Sequence, residues 1–407
     1  MQRQGAQILI ASAAEYRGKV EQAGLAFAPV SPSFADIERD LKMSRAQITQ
    51  RCLAHHDFLF RKVVAPYLRT SFDDMLRLSA DADLLLTSSL AFGARLAAEK
   101  RALPWIGIAL QPFMFLSTFD PPIIPQSRWL SALLRRLNPR RRAVLLALLK
   151  TLLAPLLRPV HRLRAQVGLA PTRSNPLFEG QFSDAGAIGL YSPLLGQVQR
   201  DYPQPTVLAG FSWFDSDEGP VREMDLSLRA FLDDGDAPLV FTLGSLIVHS
   251  PGEFYRHSAA AAHSLRRRAV LLVGAEQFAA CAHLASAEVF VAAYAPHSQV
   301  FTRAAALVHH GGVGTLAQAL RSGRPQLIVP FFADQLDNAS RAQRLGVAMV
   351  VAPRKYGAKS APTLLRRLLA DPVMVARAAA VGKQVMGEDG AAVAARAILG
   401  TAGRLVI

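Results

Sequence analysis

The run Leu307-Val308-His309-His310-Gly311-Gly312-Val313-Gly314-Thr315-Leu316-Ala317 places two imidazoles, three glycines and a threonine together. An aliphatic strand that ends in histidine, turns on glycine and opens a new apolar-periodic stretch presents a helix N-terminus. Such a terminus offers unpaired N–H groups and the positive end of the dipole, so it attracts phosphate. Glycine lets the backbone approach the anion without a Cβ in between. No Gly-Lys-Ser/Thr follows, so the turn is not a Walker P-loop. Three further groups recur at the ends of neighbouring strand-like runs: Gly244-Ser245, Tyr294-Ala295-Pro296-His297, and Asp334-Gln335-Leu336-Asp337-Asn338. An aromatic can stack on a base, a Gly-rich turn can hold a diphosphate, and Asp with Gln can hydrogen-bond sugar hydroxyls. Together they suit a nucleotide-sugar.

These residues converge only if the elements beneath them form one sheet. Strand signals at 239–243, 269–273, 289–292, 306–309 and 326–329 alternate with helical stretches such as 254–267. The first half alternates too, with strands expected at 8–11, 25–29, 82–87 and 105–110 and helices at 14–23 and 92–101. Alternating β and α elements predict parallel sheets covered by helices. A polar run around 214–221 reads as a linker. The expected fold class is therefore α/β, with two Rossmann-like domains facing across a cleft. The divisions are 1–213, a linker at 214–221, and 222–407. In a doubly wound sheet the ligand sits at the carboxyl ends of the strands.

Composition narrows the classes. The chain has 407 residues, 51% hydrophobic and 19% charged, with 46 basic against 31 acidic side chains for a net charge of +15. The excess arginine is spread along the chain rather than clustered as a nucleic-acid footprint, so no nucleic-acid partner is expected. Cys52 and Cys281 lie far apart without CxxC or Cys/His spacing, which predicts free thiols and neither a disulfide nor a metal site. The opening residues read as the approach to a strand rather than as a secretory leader. The longest apolar stretch, 143–157, is broken by Lys150 and Pro155 and is expected to be too short to cross a bilayer. A cytoplasmic protein is the expectation.

The block 294–346 resembles the donor-binding part of family 1 glycosyltransferases of the GT-B fold, the group that includes macrolide, flavonoid, sterol and rhamnolipid enzymes. The likeness extends through Phe241-Thr242-Leu243-Gly244-Ser245, Leu208-Ala209-Gly210-Phe211 and Trp105-Ile106-Gly107-Ile108. It implies that His310, Gly312, Gly314 and Thr315 hold the donor diphosphate with help from Ser245. It further implies that Tyr294 stacks on the base, where many relatives have Trp, and that His297 lies beside the base. Asp334 and Gln335 would bind the transferred sugar. Gln318 stands where relatives often carry the Glu that holds the ribose, which leaves UDP- and dTDP-sugars both open. The implied reaction is an inverting, metal-independent transfer of a sugar to a hydroxyl of a small lipophilic acceptor, with no cofactor. Two rivals stand beside it. One is a donor-binding pseudoenzyme or truncated inactive form. The other is an NAD-dependent oxidoreductase, since Gly312-Val313-Gly314-Thr315-Leu316-Ala317 also fits GxGxxA with Asp334 downstream.

In that family a strand, a Gly-rich loop and a helix precede the turn that Arg3-Gln4-Gly5-Ala6 resembles, and the loop carries the base. The resemblance thus implies about two dozen further residues upstream, from average element lengths, and no catalytic base is assigned within the chain. Ser88 and Ser89 are expected to line the acceptor pocket. His55-His56 and Asp73-Asp74 read as solvated surface pairs. The basic, leucine-rich stretch 130–167 is expected to be helical, kinked or split at Pro155 and Pro159. It is expected to pack on the first domain, with a peripheral contact to anionic lipid at the inner face of the membrane as its sharper reading.

Overall fold

The computed structural model describes residues 1–55, 57–124, 127–214 and 224–405. The expected linker, apart from Phe214, lies outside these residues, as does His56. The strands are β1 Leu9–Ser12, β2 Ala26–Pro29, β3 Leu85–Thr87, β4 Trp105–Ala109, β5 Ala187–Gly189 and β6 Thr206–Leu208 in the first half. The second half has β7 Leu239–Thr242, β8 Ala269–Leu272, β9 Val289–Ala292, β10 Ala306–His309, β11 Gln326–Ile328 and β12 Ala348–Val350.

The second-half sheet runs β12-β11-β10-β7-β8-β9, all parallel. Its strands are apolar at nearly every position because helices cover both faces. The two-residue period sorts them. Leu239, Phe241, Leu271 and Val308 face one layer, with Tyr255, Leu365 and Leu368. Val240, Val270, Leu272 and Leu307 face the other, with Phe301 and Leu228. Chain order reverses between β7 and β10, which makes that gap the switch point where a doubly wound sheet opens a crevice.

The first half is in two pieces, a β1–β2 pair and a four-stranded β3-β4-β5-β6 sheet, again parallel. Among the described residues, β1 and β3 each keep one edge without a strand partner. The strands β5, β6 and β12 carry no clear sequence signal, since three residues are too few to show a period.

The halves share a core. Tyr191, Leu195 and Phe211 from the first half bury against Leu316, Leu320, Ala339 and Val385. Glu388 accepts from Ser192 Oγ at 2.5 Å and from Phe211 N at 3.2 Å, while Trp213 Nε1 donates to the Glu388 carbonyl. In the last helix, Gly390–Leu405, Ala394 and Ile398 pack against Ile106, Ile188 and Ala209 under the first-half sheet.

One expectation is overturned. The stretch 130–167 forms two helices, Arg128–Arg136 and Pro139–Gln166, and the second runs for 28 residues straight through Pro155 and Pro159. Proline removes a donor to the residue four before it. Here the released carbonyls belong to Thr151 and Pro155, both exposed, and water can satisfy them. Buried Leu146, Leu157, Val160 and Leu163 hold the helix on both sides of the prolines. Uninterrupted, this helix is by length and composition sufficient to cross a membrane, contrary to the estimate from 143–157 alone. One side of it is nonetheless committed to the core.

Candidate functional site

β7 and β10 end side by side at the switch point, Thr242 opposite His309. The turns that leave them therefore touch. His310 is packed between two glycines: a Cβ on Gly244, which has φ 64°, would overlap its Cε1, and a Cβ on Gly312 would overlap its Nε2. Only glycine permits this wedge. The ring is buried, and its Nδ1 has no partner among the described residues. Burial, reinforced by His309 and His297 nearby, pulls its pKa down to about 3. The imidazole is thus neutral near pH 7 and retains one N–H to donate.

His309 does different work. Its Nδ1 accepts the Gly311 N–H at 3.1 Å, so the proton sits on Nε2, which faces Gln326 Oε1 at 3.0 Å. Burial draws its pKa to about 4. It locks the turn and has no free nitrogen for a ligand.

The helix Val313–Ser322 begins directly after the wedge. Its cap is Gly312, with no side-chain cap and no acidic residue in the first turn. Neither a cap side chain nor a first-turn carboxylate therefore compensates the leading N–H groups and the dipole. A Cβ on Gly314 would meet nothing within 4 Å, so the first turn faces open space. That space is a cavity of about 380 Å³ lined by Gly244, Tyr294, His297, Gly314, Thr315 and Gln318, with Thr242, Trp213 and Phe214 closing it. The Gln318 amide oxygen is buried there without a partner among the described residues, an acceptor ready for a hydroxyl. His297 opens the short helix His297–Phe301 and stacks on Phe301 at 4.4 Å between ring centres.

Asp334 and Gln335 lie across the turn instead of lining this cavity. Asn338 Nδ2 donates both to the Gly311 carbonyl at 3.1 Å and to Asp334 Oδ2 at 2.8 Å, tying the two loops together. Ala333, just before, takes a left-handed φ of 50°. Burial raises the Asp334 carboxyl above its ordinary range, against the Asn338 hydrogen bond. Gln335 Oε1 accepts from Phe331 N and Phe332 N, so only its amide nitrogen remains for a ligand. Ser245 lies in the short helix Gly244–Ile247, beside the His310 wedge, but its side chain is outside the described set. On the acceptor side, Ser89 Oγ donates to Gln181 Oε1, and the Ser88 carbonyl receives Arg95.

Sequence reasoning missed the groups that join the halves here. Arg341, 1% exposed, pairs with Asp337 at 2.6 Å and with Asp120 from the loop after β4, and it donates to the Leu195 carbonyl. Burial alone would lower the Arg341 pKa, but the two carboxylates outweigh it and hold the pKa above its ordinary value. Ile123 N, from the same loop, donates to Asp337 at 2.9 Å. The four-residue spacing of Asp337 and Arg341 was a usable local signal; Asp120 had none. Among the described residues no group of three metal-ligating side chains occurs. A second cavity of about 740 Å³, beside Trp105, Arg95 and the Glu99–Arg164 pair, shares no residue with the cavity at the switch point.

Residues 260–396 match the erythromycin biosynthesis protein CIII-like C-terminal domain. The chain is 35% identical over 202 residues to the O-mycaminosyltylonolide 6-deoxyallosyltransferase of Streptomyces fradiae, which covers 49% of the chain and 46% of that protein. It is 25% identical over 400 residues to a sterol 3-beta-glucosyltransferase of Aspergillus terreus, covering 96% of the chain and 27% of that protein. The chain thus spans less than half the length of either curated relative. Among solved structures, the glycotransferase of kitacinnamycin superposes with a TM-score of 0.68 at 17% identity, covering 98% of this chain and 92% of that one. The glycosyltransferase VinC in complex with dTDP gives 0.64 at 21%, covering 99% and 94%. Nothing in these likenesses favours the oxidoreductase alternative. The chain thus has the two-domain α/β fold of these GT-B glycosyltransferase structures, and residues 260–396 are similar to the erythromycin biosynthesis protein CIII-like C-terminal domain.

Proposed function

We propose that the chain transfers a sugar from a UDP- or dTDP-sugar to a hydroxyl of a small lipophilic acceptor, with inversion and without a metal. The observation that carries this reading is the His310 wedge at the switch point. It opens onto an uncapped helix N-terminus and a cavity that also holds Tyr294, His297 and Gln318. In this reading the diphosphate lies on the N–H groups of Gly314 and Thr315 with His310 donating, and the base lies against Tyr294 and His297. The ribose reaches the orphan Gln318 oxygen, and the sugar extends toward Asp334 and the Gln335 amide.

In the reaction the acceptor oxygen bonds to the anomeric carbon as the bond to the diphosphate breaks. The acceptor proton passes to a base, and the departing charge is met by the helix terminus and His310. Donors preorganised at the leaving oxygen remove the need for a cation there. The lipophilic acceptor is supported by Leu110, Phe113 and Met114, which follow the carboxyl end of β4 in the loop that reaches Asp337. The names of the two curated relatives, which act on a macrolide and on sterols, point the same way.

Calorimetric titration with UDP and dTDP, then transfer from their sugars with and without EDTA, tests the reading. Binding of one nucleotide with EDTA-insensitive transfer and an inverted anomeric proton signal is expected. Binding without transfer or hydrolysis would leave a donor-binding pseudoenzyme. Failure to bind either nucleotide would overturn the site itself.

A further inference from the structure

The helices Arg128–Arg136 and Pro139–Gln166 are packed on one side only. Leu130, Leu134 and Leu146 bury with Leu116, and Leu157, Val160 and Leu163 bury with Phe72 and Phe92. The opposite side of the long helix carries Val144, Leu148 and Leu152 at four-residue steps, which aligns them along one face. They are 72%, 57% and 68% exposed. Ala143, Ala147, Ala154 and Pro155 are exposed with them. On the neighbouring helix Trp129 is 71% exposed and Leu133 lies one turn on. Isolated exposed leucines are ordinary, whereas an aligned apolar band marks a contact surface.

Charge identifies the occupant. The band ends in arginine on both sides, Arg140 and Arg141 before it and Arg158 and Arg162 after it. All four are exposed, and none forms an ion pair among the described residues. A second copy of the chain would set these arginines against their own equivalents, because a two-fold contact pairs a patch with itself. A membrane surface bearing phosphates meets both the band and its ends.

We propose that this face docks in the plane of an anionic bilayer. Val144, Leu148 and Leu152 enter the acyl boundary, and the four arginines rest on lipid phosphates. The helix lies on the membrane and does not cross it. Crossing would strip Leu146, Leu157, Val160 and Leu163 from the core and Lys150 from Glu179. It would also pull Arg142 from the carbonyls of Leu134 and Thr118. Through Leu116 and Thr118 the docked helices adjoin the loop after β4, so a lipophilic acceptor would enter the cleft from the bilayer. That last step rests on the transfer reading; the docking does not.

Flotation of the full chain with vesicles of phosphatidylcholine, and with vesicles that also contain phosphatidylglycerol, tests the proposal. Wild type should float with the anionic vesicles and be released by salt. The variant Val144→Gln/Leu148→Gln/Leu152→Gln should lose association at least about tenfold. Arg158→Gln/Arg162→Gln should lose roughly fivefold per arginine at low salt. All six side chains concerned in the core packing stay untouched, so unchanged melting temperatures and unchanged dTDP or UDP titrations serve as the folding controls. Three results would overturn the idea: no flotation of wild type, a triple variant that floats like wild type, or a concentration-dependent dimer that the triple variant abolishes without any vesicle association.

Discussion

Lowering the pH from about 7 to about 5 should destabilise the fold mainly through two buried imidazoles. His309 and His310 have folded-state pKa values of about 4 and about 3, both depressed first of all by burial. Unfolded, each returns to about 6.5. The folded values lie below the unfolded ones, so as pH falls the unfolded chain takes up both protons while the folded chain refuses them. Stability is full above about 6.5 and is lost progressively down toward the folded values. At about pH 5 each histidine favours the unfolded state by about 2 kcal/mol, or about 4 kcal/mol for the pair. That is a large share of a typical stability of roughly 5–15 kcal/mol. Urea unfolding followed by tryptophan emission across this range measures it. His310→Gln removes one of the two protons, so the slope of stability against pH should fall by about half whatever the variant's stability at neutral pH. A wild-type stability that stays flat over the range, or an unchanged slope in His310→Gln, would refute the placement of these rings in a dry turn.

Two further predictions separate backbone from ligand and buried charge from surface charge. Gly314→Ala places a methyl in open space at the helix start. It should leave stability unchanged or raise it by up to about 1 kcal/mol, yet weaken nucleotide binding about tenfold by obstructing the anion. Gly312→Ala, which displaces His310, should lower both, as melting curves and titration calorimetry on the pair can show. Arg341→Leu strands the buried Asp337 carboxylate and should cost about 3–5 kcal/mol in urea unfolding. Adding Asp337→Leu should restore much of that loss. An Arg341→Leu variant within about 1 kcal/mol of wild type would mean the pair is solvated.

Much of the site was legible because it is assembled from strand ends. Histidine, glycine, tyrosine and glutamine fall at positions where short apolar runs stop, and a parallel sheet brings such stops to one edge. Tyr294, His297, Gly314, Thr315 and Gln318 accordingly surround one cavity. Asp334 and Gln335 were placed next to the turn, but their separation from that cavity depends on the Asn338 tie and the left-handed Ala333, which no spacing announces. The glycine before Ser245 was read for its neighbour, whereas its own lack of a Cβ is what admits His310. Proline was read as a helix breaker, and burial on both sides of Pro155 and Pro159 overrode that preference.

By itself the sequence determined what depends on neighbours along the chain: where strands and helices alternate, which turns need glycine, and which helix starts without a cap. These follow from backbone sterics and local periodicity, which a dozen residues contain. The tertiary structure decided what depends on distant partners meeting. It placed β10 beside β7, so that His310 lodged between Gly244 and Gly312. It set Asp120 on Arg341 across more than two hundred residues and left Val144, Leu148 and Leu152 facing water while their helix buried its other side. Those outcomes depend on desolvation and on the docking of whole elements, and neither is written in any one stretch of chain.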